Sequence, residues 1–242
     1  MYKSLKKVAN FIIPKQVLRK NEIFLRKLIS IKYKGKKHKC NICNFQLKQF
    51  IELKNNDLLC PRCGSRSRTR RLFLQLEKSN LLSGQVLHFS PPRSLFEKLK
   101  KQKGLSYFGS DFENEFLADH NYDITSITRE SNFFDFIICY HVLEHIENDQ
   151  AAMKELYRVL KPSGSCYIQT PFKEGDIYED IKITTPKERK KAFGQEDHVR
   201  IYSINGLKKR LESVGFMVET KIYENDFYLG LKNETVIVAR KN

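Results

Sequence analysis

The 242-residue sequence contains no long run of apolar residues, and this absence sets the first limits on what the protein can be. No segment approaches the roughly 20 uninterrupted apolar residues that a membrane-spanning helix requires. The Lys-rich N-terminus also lacks the apolar block and the small-residue cleavage site of a secretory signal. We therefore expect a protein of the cytoplasm.

Glycine and proline are scarce as well, at 11 and 7 residues. This composition excludes collagen and the low-complexity and wholly disordered classes. With 40% hydrophobic and 30% charged residues, a chain of this length can bury one ordinary core plus a small appendage.

Acidic residues are almost missing from residues 1–39, which hold 13 Lys and Arg but a single acid, Glu22. This segment therefore carries +12 of the formal net charge of +16, and residues 40–242 carry only +4. A basic segment of this kind attracts the phosphates of a membrane surface or of a nucleic acid, and composition does not choose between them. We treat residues 1–39 as a basic N-terminal arm.

The arm has the pattern of two helical pieces separated at Pro14. In the second piece, apolar and basic side chains fall on opposite sides of a helical wheel. The apolar set is Val17, Leu18, Phe24, Leu25, Leu28, Ile29 and Ile31, and the basic set is Arg19, Lys20, Arg26 and Lys27. Such a helix either docks residues 1–35 on anionic lipid headgroups or packs on the protein's own core, and the pattern leaves both open.

Four of the six cysteines form two Cys-x-x-Cys pairs, namely Cys40, Cys43, Cys60 and Cys63. In a reducing compartment this pattern predicts metal ligation, because each two-residue spacer lets a tight turn aim both thiolates at one ion. Two such pairs suit a closed, structural Zn²⁺ site, which predicts a zinc ribbon over residues 40–65. Cys139 and Cys166 stand alone in apolar surroundings and are predicted to be buried thiols.

A basic run follows the ribbon and leads into a predicted helix whose apolar side carries Leu72, Phe73, Leu76 and Leu81. The run consists of Arg66, Arg68, Arg70 and Arg71. It either contacts phosphates or forms a solvated helix entry, and we favour the solvated entry.

From residue 85, short apolar strands alternate with helices. The predicted strands are 86–89, 105–109, 134–139, 166–170, 216–222 and 235–239, and the predicted helices lie near 94–101, 149–160 and 204–214. Lys161-Pro162-Ser163-Gly164 is a stop signal for the second of these helices. The alternation predicts an α/β fold with a parallel sheet covered on both faces and a ligand at the carboxyl ends of the strands.

Two stretches in this region resemble the fourth and fifth strands of class I S-adenosylmethionine-dependent methyltransferases. They are FFDFIICYHVLEHI (133–146) and YRVLKPSGSCYIQTPF (157–172), and the resemblance covers about residues 84–240. The segments CPRCGSRSRTR, VLHFSPP, YED and FGQEDHVRIY are similar to bacterial methyltransferases that carry an N-terminal zinc ribbon and often accompany surface-glycan genes. The resemblance implies a Rossmann-like methyltransferase domain over residues 66–242, with S-adenosylmethionine as cofactor.

The resemblance also implies cofactor-binding residues. Asp111 follows the second strand, where the family places an acid that accepts hydrogen bonds from both ribose hydroxyls. Asp123 resembles the acid that receives the adenine amino group, with Ile124 against the ring. The further cofactor-binding candidates are Phe89, Ser90, Pro91, Phe112, Tyr140 and His141.

The first-strand motif departs from the family, because an acid-x-Gly-x-Gly-x-Gly pattern becomes His88-Phe89-Ser90-Pro91-Pro92-Arg93. Glycines allow close backbone approach to the cofactor, and two prolines remove two N–H donors. Ser90 can still turn the chain and Pro92 can open a helix. A non-catalytic zinc-ribbon binding protein on a degenerate methyltransferase scaffold is therefore an alternative.

The segment after the fifth strand, residues 171–202, is too long for an ordinary connection, and long loops in compact domains commonly carry function. We interpret it as a substrate-side insert. His198 is the first candidate for a general base, Asp197 and His145 are further catalytic candidates, and Arg200 is a candidate binder of an anionic acceptor group. Tyr178 and Asp180 are candidate substrate-binding residues. The alternative is a polar network that only holds this loop over the sheet.

These residues lead to a hypothesis of O-methylation of a sugar or glycan precursor, a substrate class that comes chiefly from the resemblance. The basic arm favours a phosphate-linked acceptor and a position near the inner face of the membrane. The main alternative is an RNA methyltransferase that holds RNA with its zinc ribbon and arm. Against RNA, the fourth strand ends in Cys139-Tyr140-His141-Val142 rather than in the Asn/Asp-Pro-Pro-aromatic loop typical of exocyclic amine methylation.

Overall fold

The computed structural model of the chain describes residues 15–242, with side chains from residue 22 onward. Within this range, no helix is long and apolar enough to cross a membrane. The first helical piece of the arm, predicted before Pro14, lies outside the described residues.

The described chain divides into two compact units. The first contains residues 15–75 and 224–232, and the second contains residues 76–223 and 233–242. The boundary expected between residues 65 and 66 therefore falls inside the first unit. The first unit extends beyond residue 65 because it also includes residues 66–75, at the start of the next helix, and residues 224–232.

The first unit begins with α1 (Lys15–Ser30), which is the second predicted piece of the arm, and a 3-10 turn (Ile31–Tyr33). Two short antiparallel strand pairs follow. They are β1 (Lys34–Lys39) with β2 (Gln46–Leu47), and β3 (Ile51–Glu52) with β4 (Leu58–Leu59). Cys40 comes directly after β1 and Cys60 directly after β4, so each cysteine pair lies on the turn that ends a strand.

Two of the four arginines after the ribbon are buried, which corrects the expectation of a solvated helix entry. Arg70 and Arg71 lie on α2 (Ser67–Lys78), and Arg70 is 0% exposed. Their acceptors are the carbonyl oxygens of Leu58, Ser65, Leu229 and Gly230 for Arg70, and of Glu224 and Lys232 for Arg71. Burial of a guanidinium is costly unless its donors are hydrogen-bonded, and these carbonyls supply the acceptors. The two arginines thus hold segment 224–232 in the first unit.

The second unit contains a six-stranded sheet. Its strands are β5 (Gly84–Phe89), β6 (Leu105–Ser110), β7 (Phe134–Tyr140), β8 (Leu160–Gln169), β12 (Met217–Tyr223) and β13 (Glu234–Arg240). The spatial order is β12-β13-β8-β7-β5-β6, with β6, β5, β7 and β8 parallel and the last two strands antiparallel. All six strands were predicted, and the mostly parallel, Rossmann-like α/β fold is confirmed.

Helices connect the strands of this sheet. They are α3 (Arg93–Leu99), α4 (Asp149–Val159) and α6 (Ile204–Ser213). One boundary differs from the prediction, since β8 already begins at Leu160 and includes the stop signal of the preceding helix. The pairing of β7 with β8 is irregular at this point, and Ser163 has a φ of 64°. The core contains Cys139 and Cys166, both fully buried as predicted.

The segment predicted as a long insert has its own secondary structure. It contains β9 (Phe172–Lys173), β10 (Tyr178–Glu179), α5 (Pro186–Phe193) and β11 (Arg200–Ser203), and its strands form a small sheet of order β10-β11-β9. Thr185 and Glu188 form a capping box at the start of α5, and Gly194 ends it with a φ of 89°. The spacing Thr185-Pro186-Lys187-Glu188 is a helix-start signal that the sequence analysis missed.

Candidate active site

The candidate site lies where the order of the parallel strands reverses, between β5 and β7. β5 pairs with β6 on one side and with β7 on the other, and ligands of open α/β sheets bind beyond the carboxyl ends of the strands at such a point. The residue after each strand has a left-handed backbone, with a φ of 46° at Ser90 and 56° at His141. This conformation costs free energy in residues other than glycine and is concentrated at functional sites.

Ser90 makes the turn between β5 and α3. Its backbone N–H donates to the carbonyl of Ser110 at 2.7 Å, and its hydroxyl donates to Oδ1 of Asp111 at 2.9 Å. α3 begins directly after Pro92, as predicted. Phe89 and Pro91, which flank Ser90, are both buried. The glycine-free sequence therefore still forms a tight strand-to-helix turn.

Asp111 lies directly after β6 and is 4% exposed. Its Oδ2 accepts a hydrogen bond from the backbone N–H of Phe116 at 2.9 Å, and its own N–H donates to the carbonyl of His120 at 3.0 Å. Phe112 and Phe116, on the loop beyond Asp111, expose large parts of their rings. A fixed carboxylate beside exposed aromatic rings suits a ligand that carries both hydroxyls and an apolar ring.

Asp123 caps a turn and is partly buried. Its Oδ1 accepts hydrogen bonds from the backbone N–H and the hydroxyl of Thr125, at 2.8 and 2.7 Å. Its Oδ2 has no hydrogen-bond partner among the described residues, so this oxygen can receive an amino group. Ile124 and Tyr140 are buried, Ile124 within the apolar core.

Two histidines and two acids form a cluster next to β7. Glu144 and His145 lie on a 3-10 turn, Leu143–His145, and the ring of His145 packs perpendicular to that of His198 with centroids 4.7 Å apart. Nδ1 of His145 lies 3.1 Å from Oδ2 of Asp197. The structure thus brings all three catalytic candidates together, and Asp197 pairs with His145 rather than with its sequence neighbour His198.

The insert is held on this turn by β11. The backbone N–H of Val199 donates to the carbonyl of Glu144 at 2.9 Å. Arg200 donates to the carbonyls of Leu143, Ile146 and Glu147 and to the carboxylate of Glu179. This buried guanidinium positions His198 against the 3-10 turn. Binding of an acceptor anion by Arg200 would require it to give up some of these contacts.

Tyr178 and Asp180 lie on the rim of the insert. The ring of Tyr178 packs against that of Phe193 with centroids 5.3 Å apart, and Oδ1 of Asp180 accepts a hydrogen bond from the backbone N–H of Lys182 at 2.9 Å. Both residues are exposed. Among the contacts that the structure describes, none joins either residue to the histidine cluster.

Burial and charge set the protonation of the cluster. Burial lowers the pKa of His198, and the nearby His145 lowers it further, so His198 is a neutral imidazole at neutral pH. Burial acts to raise the pKa of Glu144, but the hydrogen bond and charge of His141 outweigh it and the pKa is lowered. A neutral, positioned imidazole is the form that a general base requires.

The four paired cysteines cluster in the first unit. Their sulfur atoms lie within 4.8 Å of one another, with Cys40 and Cys63 at 3.7 Å and Cys43 and Cys60 at 3.8 Å. Four thiolates bound to Zn²⁺ at about 2.3 Å lie about 3.8 Å apart in a tetrahedron. The sulfur positions therefore fit a zinc ion.

Residues 65–221 match the family model Methyltransf_23, which is described as a methyltransferase domain. The chain belongs to this family. By family and fold it is a class I S-adenosylmethionine-dependent methyltransferase. No curated protein matches the methyltransferase.

Solved structures support the fold. A SAM-dependent methyltransferase from Archaeoglobus fulgidus has a TM-score of 0.52 at 17% identity, over 74% of this chain and 95% of that chain. A putative sarcosine dimethylglycine methyltransferase from Galdieria sulphuraria has a TM-score of 0.52 at 14% identity, and the match covers 72% of this chain and 85% of that chain. The 1,6-didemethyltoxoflavin-N1-methyltransferase of Burkholderia thailandensis, solved with S-adenosylhomocysteine, has a TM-score of 0.50 at 16% identity. This match covers 72% of this chain and 78% of that chain. At these identities the likeness concerns the fold alone.

The residues at the carboxyl edge of the methyltransferase fit its cofactor. A vicinal diol suits Asp111 because each carboxylate oxygen can accept one hydroxyl proton. Ser90 supplies the close turn without glycine, and the second oxygen of Asp123 suits an amino group. A residue of the histidine cluster that the sequence analysis did not single out is Glu144. The signal for it was its place in HVLEH, three residues after His141 and next to His145.

Proposed function

We propose that this methyltransferase methylates a hydroxyl group of a sugar or glycan precursor. The observation that carries the proposal is the neutral His198, held beside His145 and Asp197 at the carboxyl edge of the sheet. A hydroxyl is a weak nucleophile and must lose its proton as the methyl group arrives, so a hydroxyl acceptor needs a base of this kind. The similarity of the CPRCGSRSRTR and FGQEDHVRIY segments to glycan-associated methyltransferases supports the sugar class.

The hydrogen bonds of His198 define how it would take the proton. Its Nδ1 lies 3.2 Å from the carbonyl oxygen of Phe193, to which it donates, so Nε2 carries the lone pair. The exposed side chain of Gln195 donates to Nε2 at 2.8 Å, as an acceptor hydroxyl would. When bound, S-adenosylmethionine supplies the methyl group from its sulfonium and leaves as S-adenosylhomocysteine. His198 receives the hydroxyl proton while the new C–O bond forms.

Methyl transfer from labelled S-adenosylmethionine to nucleotide sugars, glycolipid fractions and total RNA tests this proposal. We expect label in a sugar fraction. The His198→Gln variant should lower kcat by about 10²–10⁴-fold, the usual contribution of a general base, and His38→Gln is the matched control. Because the neutral imidazole is the active form, the wild-type rate should be constant near pH 7 and fall with acid, through the lowered pKa of His198. Label in RNA alone would contradict the proposal.

We further propose that the arm brings the enzyme to an anionic membrane surface. Phe24 and Leu28 on α1 and Ile31 on the turn after it point to the same side, as residues spaced by four and three positions do. Their side chains are 62%, 50% and 69% exposed, so the described residues do not cover this apolar face. Exposed apolar side chains at this spacing, in a segment of high positive charge, suit the boundary of an anionic lipid layer. Their exposure does not support packing of this face on the protein's own core.

We also propose that the paired cysteines hold one structural Zn²⁺. Beyond the sulfur spacing, hydrogen bonding to Cys40 raises the pKa of Cys43, Cys60 and Cys63, because one thiolate opposes the ionisation of its neighbours. A divalent cation at the centre stabilises all four thiolates together. Four protein ligands close the coordination sphere, so this ion would stabilise the first unit rather than take part in methyl transfer.

A further inference from the structure

Three side chains of types that bind metals converge beside the carboxyl end of β7, far along the chain from the cysteine cluster. One ligand atom from each of Glu144, His145 and His198 lies within 4.8 Å of the other two. Nitrogen and oxygen ligands bound to one ion at about 2.0–2.2 Å lie about 3–4 Å apart. Small side-chain adjustments would therefore bring all three onto a single ion.

Glu144 has an unsatisfied oxygen at this place. The residue is 1% exposed, and its Oε1 pairs with Nδ1 of His141 at 3.1 Å. Its Oε2 is buried and has no hydrogen-bond partner among the described residues. A buried carboxylate oxygen without a partner is costly, and a bound cation would satisfy it.

The two histidines have the outer contacts of metal ligands. A metal-bound imidazole usually donates its other ring N–H to a carbonyl or a carboxylate, which fixes the ring and its tautomer. Nδ1 of His198 faces the carbonyl of Phe193, and Nδ1 of His145 faces the carboxylate of Asp197. Nε2 of each ring is then the ligand atom, and the exposed amide of Gln195 would move away from His198.

We infer that Glu144, His145 and His198 bind one divalent transition-metal ion. Two imidazoles and one carboxylate suit ions such as Zn²⁺, Fe²⁺ and Mn²⁺ and leave coordination positions open. The site differs in ligand type from the cysteine cluster, since imidazole and oxygen ligands also accept Mn²⁺, whereas four thiolates select Zn²⁺.

The role of this ion rests on the proposed function. A hydroxyl bound to a divalent ion has a lowered pKa, so the ion would hold the acceptor oxygen and ease loss of its proton. With the ion bound, His198 would be a ligand instead of the base described above, and the exposed carboxylate of Asp197 would take the hydroxyl proton and pass it to solvent. Neighbouring hydroxyls of a sugar suit the open positions because two oxygens can bind the same ion.

The test is titration with Mn²⁺ of purified full-length protein that holds a single Zn²⁺ per chain, so that zinc fills only the cysteine cluster, with free Mn²⁺ measured by electron paramagnetic resonance. We expect one bound Mn²⁺ per chain. Glu144→Gln and His145→Gln should each weaken binding at least tenfold, and Glu212→Gln, on the surface of α6, is the matched control. Glu144 is buried, so its replacement could destabilise the fold, and thermal unfolding of Glu144→Gln checks for this. His145 is partly exposed, so His145→Gln tests metal binding without removing a buried group.

The outcomes separate this inference from the proposed function. No Mn²⁺ binding, or equal binding by His145→Gln and wild type, would overturn the metal site even if sugars are methylated. A different outcome would support the metal site and contradict the sugar acceptor. In that outcome, the wild type binds Mn²⁺, Glu144→Gln and His145→Gln do not, and no sugar is methylated.

Discussion

At the residue scale, Ser90 shows how the chain forms a tight turn after the first strand of the sheet although the motif there contains no glycine. A serine with a φ of 46° is strained, and the strain is of order 1–2 kcal/mol. The hydroxyl of Ser90 compensates by binding Asp111, so one side chain both shapes the turn and orients the carboxylate. From the sequence, the absence of glycine made cofactor binding doubtful. The backbone conformation shows that serine makes this turn, whereas Pro91 and Pro92 still offer no N–H donors.

The division between cofactor and acceptor residues gives a prediction. Asp111→Ala should weaken binding of S-adenosylhomocysteine at least tenfold, because two charge-assisted hydrogen bonds are each worth about 1.5–3 kcal/mol. His198→Ala should change it by less than about threefold, since a base acts mainly in the transition state. Isothermal titration calorimetry measures both. Equal losses in the two variants would show that the division is wrong.

At the element scale, local patterns predicted most of the sheet but little of what surrounds the site. The six strands of the sheet are short apolar runs bounded by turn residues, so each is visible in its own sequence. The insert itself was predicted, but its secondary structure was missed because its strands have two to four residues and its helix is polar. The place of segment 224–232 depends on carbonyls that accept from Arg70 and Arg71, more than 150 positions away. No local periodicity reports such contacts, and the pairing of Asp197 with His145 escaped prediction for the same reason.

The cysteine turns give the element-scale prediction. One Zn²⁺ should bind per chain, and Cys60→Ser should lose most of it, because three thiolates no longer close a tetrahedral site. Cys166→Ser is the matched control, since Cys166 is buried in the sheet core, where burial raises the pKa of its thiol. Metal analysis of the purified variants measures the difference. Equal zinc content in both variants would contradict the assignment of the cysteine cluster.

At the scale of the whole molecule, charge and apolar exposure are concentrated in one part of the chain. Residues 1–39 carry +12 of the net charge, and the described part of this arm exposes Phe24, Leu28 and Ile31. A soluble partner surface made of phosphate alone would use the charge but not the apolar side chains. An anionic lipid layer uses both, because headgroups attract the lysines and the acyl boundary accepts the rings and alkyl groups.

This argument predicts that the full-length protein sediments with vesicles containing anionic lipid. Replacing Phe24, Leu28 and Ile31 together by Ser should reduce the bound fraction severalfold, whereas Ile222→Ser, at an equally exposed position outside the arm, should not. Substitution is preferable to deletion of residues 1–35, because the carbonyl of Tyr33 accepts a hydrogen bond from Lys48 at 2.8 Å within the first unit. Added salt should weaken attachment, since exposed charges are screened beyond about 8 Å at physiological ionic strength. Part of the attachment should persist at high salt, because the apolar side chains insert into the lipid layer. Attachment that salt abolishes, or that the triple replacement leaves unchanged, would contradict an apolar contact with the membrane.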